Sequence, residues 1–434
     1  MLTLLASLIS VGASAVAIEP GDAPIFEAFL EHVEGTASYC TPERLAEFAA
    51  QPEDIVWQAS KYIRMPLTAY RLTGDAAHLD DFVTRMGALY DELEPGPDGF
   101  LGWYGLPLDL FRHPDHPDRW SDVILTSFVV AGLAAEFAVT IRDGGELEAR
   151  HAASAARYVD IATRHLVAKW DARERYRDLG AHGAVYITND RLAPVKADLT
   201  QPHNKHSKIG AALVKLHAAT GDEEYLTKAV KLGGRYKRSL TLADDRYMWN
   251  YWDPAGAWDI RVDDHGRWKH WIGAEHRGGY YSLSLSQAVL LYEHGLVFDD
   301  EDIARFVRTQ VEVCWNGDVE NPTWRRVNGE EMDQSYLCSA LAAYDESVHE
   351  LAFGAAATAR RIEQREHGWH GGVVAGDWLE MKYVTVPEWA TEGPSDAAAT
   401  AAYRASDTGS RLLAEMSAPV TGGGYEAPQT PPIR

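Results

Sequence analysis

Apolar positions recur at near-helical spacing along most of this chain. From Asp54 to Tyr70, Ile55, Tyr62, Ile63 and Leu67 fall on one face of a predicted helix, and Pro42-Glu43-Arg44-Leu45 starts another before it. Four denser apolar runs, Val123 to Ile141, Ile209 to Ala219, Ser282 to Leu291 and Leu337 to Tyr344, predict buried helices, while the more charged stretch His151 to Trp170 predicts an outer one. Val123 to Ile141 is long enough to raise the question of a membrane, but Gly132 and Glu136 inside it favour a core helix. Between helical segments a device repeats: Leu72-Thr73-Gly74-Asp75 and Ala219-Thr220-Gly221-Asp222 each offer a glycine to end one helix and an aspartate to cap the next. Glu293 to Asp300 is a looser version. Recurring helix, Gly-Asp turn, helix units imply stacked hairpins. Closing such a stack into a ring removes the need for capping repeats, which predicts a mainly α fold, an α/α toroid or incomplete barrel of helical hairpins. A linear solenoid is the alternative.

Two stretches break the helical rhythm. Trp258 to Val262 and Arg267 to Trp271 alternate on either side of Asp263-Asp264-His265-Gly266, the pattern of a small β-hairpin insertion. Gly368 to Val386 mixes Gly-Gly, Val-Val and Trp and predicts irregular or β structure before a further helix from Asp396 to Met416. With no internal boundary visible, residues 26–416 read as one catalytic domain, and residues 418–434, rich in Pro and Gly, as a disordered tail. Residues 1–17 read as a signal peptide: Leu2 to Ala17 is apolar and ends in Ala15-Val16-Ala17, although the usual basic start is missing. The expected location is therefore secreted or periplasmic.

At 434 residues and 46% hydrophobic content the chain can bury a large core. A net charge of -23 argues against nucleic acid or an anionic membrane surface as partner, so an anionic ligand needs a local basic cleft. Cys40, Cys314 and Cys338 allow at most one internal disulfide, of which Cys314 with Cys338 is the natural choice. No His, Asp, Glu or Cys set has zinc spacing, so no metal or other cofactor is expected. The 14 Trp and 20 Tyr supply rings on which sugars can stack, among them Trp103 and Tyr104, Trp249 and Trp252, and Trp369 beside His370. Core filling is the competing use of each ring.

Against the acidic background, Pro202-His203-Asn204-Lys205-His206-Ser207-Lys208 packs four potentially cationic side chains and an amide into seven residues at the start of a buried helix. A second dense cluster, Gly273-Ala274-Glu275-His276-Arg277-Gly278-Gly279-Tyr280-Tyr281, also leads into an apolar helix. In a ring of hairpins both helix starts can share one rim. Asn, His, Arg and Tyr together suit β-elimination from a uronic-acid polymer. The Arg and the amide stabilise charge that develops on the uronate carboxylate, and His or Tyr moves the protons. A phenol of pKa about 10 needs nearby cations to act as a base.

An Asn and a His close together, followed some seventy residues later by an Arg with Tyr just beyond it, resemble the α/α-toroid polysaccharide lyases, which include alginate and glucuronan lyases. The resemblance implies that Asn204 and Arg277 neutralise the substrate carboxylate, that His206 is the base or a carboxylate partner, and that Tyr280 or Tyr281 is the acid and possibly the base. Here Lys205 separates Asn204 from His206, which leaves His203 as a competing candidate. His203, Lys205, Lys208, Trp103, Tyr104, Trp249, Trp252, His270, His276 and Arg325 are the expected contacts to an acidic polysaccharide. Two other function classes fit the same chain. One is a glycoside hydrolase on the same scaffold, using two carboxylates drawn from Asp122, Asp253, Asp259, Asp318 and Asp377. The other is a non-catalytic glycan-binding protein.

Overall fold

The computed structural model describes residues 15–142, 145–194, 196–256, 258–259, 272–364, 368–387, 389 and 393–420. It is mainly helical. The first third holds α1 (Ala23–Thr36), α2 (Pro42–Ala50), the short α3 (Pro52–Asp54), α4 (Ser60–Thr73) and α5 (Ala77–Asp91), then the hairpin of β1 (Glu94–Pro95) and β2 (Leu101–Gly102). Next come α6 (Ile124–Arg142), α7 (Glu146–Ile161) and α8 (Ala168–Ala172), followed by antiparallel β3 (Tyr176–Asp178) and β4 (Ala184–Tyr186). The centre is α9 (His203–Thr220), α10 (Glu223–Ser239), antiparallel β5 (Thr241–Ala243) and β6 (Arg246–Met248), α11 (Gly278–Glu293) and α12 (Asp300–Arg308). The chain continues through antiparallel β7 (Trp324–Arg325) and β8 (Glu331–Met332) to α13 (Glu346–Phe353), α14 (Ala355–Gln364), α15 (Gly368–Glu380), α16 (Ala401–Ala405) and α17 (Asp407–Met416).

The Gly-Asp device works as expected from sequence. Gly74 ends α4 in the left-handed region (φ 72°), and Asp75 accepts the Ala77 N–H at 2.9 Å. Gly221 ends α9 likewise (φ 76°), and Asp222 caps α10 through the Glu224 N–H. In the third version Gly295 has φ 66°, and Asp299 caps α12 in a reciprocal pair with Asp302. The turns set α4 against α5 and α9 against α10, and α6 packs likewise against α7.

The leading helices lie side by side in the order α15, α4, α6, α9, α11. α6 is the core helix expected, with Leu125, Phe128, Ala134 and Phe137 fully buried. Close approach of the row depends on small residues: a Cβ on Gly132 of α6 would lie 3.2 Å from Ala212 of α9. Beyond α11 the chain forms a 3-10 turn at Ser339–Ala343 that packs on α13. Trp378 of α15 donates to the Ala352 carbonyl at 2.8 Å and sets its ring 6.2 Å from Phe353, so α15, at the opposite end of the row from α11, meets α13.

Four expectations are corrected. Leu337 to Tyr344 is not an α-helix, because Gln310 binds the Tyr336 carbonyl and the Cys338 N–H and holds the approach to the short 3-10 turn. Gly368 to Val386 is helical rather than irregular: α15 continues through a π turn at Met381–Thr385, and its glycines serve helix contact, since a Cβ on Gly376 would meet Phe29 of α1 at 2.4 Å. The last helical stretch is interrupted at Ser406, which caps α17 through the Gly409 N–H. Cys40, Cys314 and Cys338 are all buried free thiols. Of the hairpin expected at Trp258 to Trp271 only Trp258 and Asp259 are described, and most of the expected signal peptide and tail also lie outside the described residues.

Candidate active site

α9 starts where Pro202 holds extended backbone (φ -68°, ψ 161°), and its apolar side buries Ile209, Leu213 and Leu216. The helical period then places Lys205, Lys208 and Lys215 along another side. α11 starts after extended Arg277 at Gly278, where any Cβ would fall 1.6 Å from the Ser335 carbonyl oxygen, so only glycine fits.

The two starts are tied together by Trp249 to Pro254. The His203 N–H donates to the Tyr251 carbonyl at 3.2 Å, and the Tyr251 N–H donates to Gly273 at 2.7 Å. The Tyr251 ring stacks on Tyr280 (5.6 Å, 22°) and meets His276 edge-on at 5.3 Å. Arg277, exposed to solvent, lies 5.5 Å over the Tyr280 ring. On the α9 side, His203 Nε2 is 3.1 Å from Asp253 Oδ2, and Asn250 donates to Asp253 Oδ1 at 2.9 Å. Burial works to raise the Asp253 carboxyl, but His203, Asn250 and Arg235 offset it and hold the carboxyl below its usual range. The Asp253 carboxylate thus holds the buried His203 ring by its Nε2 edge. Asn204 is buried, and its Oδ1 has no hydrogen-bond partner among the described residues. Lys205 reaches Glu53 at 3.4 Å.

The structure thus gathers His203, Asn204, Lys205, His276, Arg277 and Tyr280 at one end of α9 and α11. Others are placed elsewhere. His206, as buried as His203, turns away from the site to β4, where its Nε2 accepts the Tyr186 N–H at 2.9 Å; burial, and then the neighbouring His203, push its pKa down to about 3. Tyr281 is fully buried, stacked between Trp249 and Tyr336, with its hydroxyl donating to Gln310 at 3.0 Å. Trp103, Trp249 and Trp252 fill the core, and the Trp103 and Trp252 indoles are satisfied by the Leu89 and Thr200 carbonyls. Tyr104 is half-buried and bonded to the Phe100 carbonyl. Arg325 is exposed on β7, and His270 lies outside the described residues.

Two groups, Tyr251 and Glu53, were not among the candidates, and Asp253 was one only for a hydrolase: Tyr251 joins the two clusters, Asp253 orients His203, and Glu53 pairs with Lys205. The density of polar and aromatic residues from Trp249 to Asp253 was the signal that pointed to Tyr251. Among the described residues no group of three or more His, Cys, Asp or Glu side chains is arranged to hold a metal ion.

Behind the site Glu275 is fully buried, with Ser284 donating to Oε1 at 2.6 Å. Burial raises its carboxyl to about 8, only partly offset by Ser284 and Trp249. A carboxyl raised on folding favours the native state below the ordinary carboxyl range and loses that contribution as pH rises towards the folded value. Glu275→Gln should therefore gain on the wild type between about pH 5 and pH 8, by up to about 1.4 kcal/mol per pH unit, in urea unfolding at several pH values. Parallel pH profiles would refute a protonated Glu275.

Compared with known proteins, the chain matches no family model, no curated protein and no solved structure.

Proposed function

We propose that this chain is an exported polysaccharide lyase that cleaves a uronic-acid polymer, alginate-like or glucuronan-like, by β-elimination. We read its row of leading helices, with α13 meeting α15, as an α/α toroid carrying the site on one rim. The observation that carries the reading is the continuous group from Arg277 over Tyr280, through Tyr251, to His203 and its Asp253.

In this mechanism Arg277 and the Asn204 amide bind the uronate carboxylate and stabilise the charge that builds up as C5 loses its proton. His203, oriented by Asp253, takes that proton. The C5 electron pair forms the C4=C5 double bond, the C4–O4 bond breaks, and Tyr280 protonates the departing O4. The two-carboxylate alternative finds its candidates already engaged. Asp122 is buried against Lys169 (2.8 Å) and Arg173, and Asp259 accepts from Thr200 Oγ1 (2.6 Å). Asp377 pairs with Arg64, and Asp318 accepts the Glu320 and Asn321 N–H groups.

Incubation with a panel of polyuronates tests the reading. The expected result is a rising ultraviolet absorbance from an unsaturated uronate on at least one polymer; new reducing ends without that absorbance would point to hydrolysis instead.

A further inference from the structure

The turn formed by residues 273–277 is neither helix nor strand, yet it sets where His276 and Arg277 stand. Its ends are held by backbone. Gly273 accepts the Tyr251 N–H at 2.7 Å, and the Arg277 carbonyl accepts the Tyr280 and Tyr281 N–H groups at 3.0 and 3.1 Å. Its middle is held through Glu275. This residue is fully buried, and Ser284 of α11 donates to its Oε1 at 2.6 Å. The Glu275 carbonyl accepts the buried Tyr336 hydroxyl at 2.9 Å, and the Tyr336 ring stacks on Tyr281 at 4.2 Å. Side chain and backbone of one residue thus clasp the turn to α11, while Arg277, two residues on, is exposed.

The clasp closes on a carboxyl in surroundings that do not favour a charge. Trp249 and Ser284 lie against it, and Tyr236 of α10 and Tyr251 are near enough to feel its charge. On its own turn His276 is half-buried and Arg277 points to solvent. Among the described residues the Glu275 carboxyl has no cationic partner, and its Oε2 accepts no hydrogen bond. An ionised carboxylate buried in this way is costly, and opening the turn to bring it to water relieves the cost.

We propose that Glu275 is a positioning residue for Arg277: its clasp on Ser284 and Tyr336 holds the turn so that the guanidinium stands over Tyr280, and a charge on Glu275 releases the turn and disarms the site. For its effect on rate the inference rests on the lyase reading; its effect on the turn rests on the fold alone. Because burial raises the Glu275 carboxyl to about 8, the release falls on the alkaline side, where kcat should drop about tenfold per pH unit.

The test compares wild type, Glu275→Ala and Glu275→Gln as full chains, with thermal unfolding to monitor the fold. Hydrogen exchange at pH 7, read by mass spectrometry, should be about tenfold or more faster over residues 273–281 in Glu275→Ala, with α6 unchanged and Glu275→Gln close to wild type. On a polyuronate at pH 7, Glu275→Ala should lose about tenfold or more in kcat, more than KM rises, while Glu275→Gln retains most of the rate and carries its alkaline limb about one pH unit or more higher. A folded Glu275→Ala whose turn exchanges at the wild-type rate, or coincident alkaline limbs in wild type and Glu275→Gln, overturns the positioning role and leaves the lyase reading intact. Should Glu275→Ala fail to fold, the alkaline limb of Glu275→Gln decides alone. A wild type that forms no unsaturated product, beside a loosened turn in Glu275→Ala, overturns the lyase reading and upholds the hold of Glu275 on the turn.

Discussion

Tyr280→Phe should lower kcat on a polyuronate by about 10²–10⁴-fold while leaving the melting temperature unchanged. The substitution removes one oxygen from a half-buried ring. It keeps the stack on Tyr251 and the contact with Arg277, so under the proposed elimination the loss falls on proton transfer to the leaving O4. Tyr281→Phe is the matched comparison. Its hydroxyl donates to Gln310 in a sealed core, and losing that bond should cost about 1–3 kcal/mol of stability while the folded fraction keeps a kcat within a few-fold of wild type. Steady-state rates and thermal unfolding of the two variants separate the roles. A Tyr281→Phe enzyme that folds but has lost its rate, beside an active Tyr280→Phe, would reverse the assignment.

Arg277→Ala carries the second large effect. The guanidinium is exposed and makes no ion pair among the described residues, so its removal should not disturb the fold. If it stabilises charge that grows as C5 is deprotonated, kcat should fall by about 10²–10³-fold, more than KM rises. Arg277→Lys should recover only part of the loss, because a single ammonium cannot reproduce a planar bidentate contact to a carboxylate. A kcat within twofold of wild type in Arg277→Ala would remove the arginine from the mechanism.

What was legible in the sequence depended on how local each signal is. Gly74-Asp75 and Gly221-Asp222 announce helix ends because the left-handed glycine and the capping carboxylate act within one turn. α15 was missed because Gly372 and Gly376 look like breakers, and their use as contact points for His32 and Phe29 of α1 is a tertiary fact. The two basic clusters were visible as density, and the shared end of α9 and α11 follows from stacking parallel elements. The choice within each cluster was not visible. Neighbouring residues on a helix point about 100° apart, so whether Tyr280 or Tyr281 reaches Tyr251 and Arg277 depends on the rotation of α11 against Trp249 and Tyr336. In the same way, His206 rather than His203 meets the β4 backbone because of how α9 packs on that hairpin, and no local pattern encodes that phase.

The account's central claim, elimination rather than hydrolysis or simple binding, is tested most directly by weighing the products of a defined uronate oligomer. Elimination divides the parent without adding anything, so the masses of the two fragments should sum to that of the parent, with the unsaturated residue on the new non-reducing end. Fragments that sum to the parent plus one water would contradict the claim and indicate a hydrolase. An oligomer that is bound but recovered whole would contradict it in favour of a binding protein.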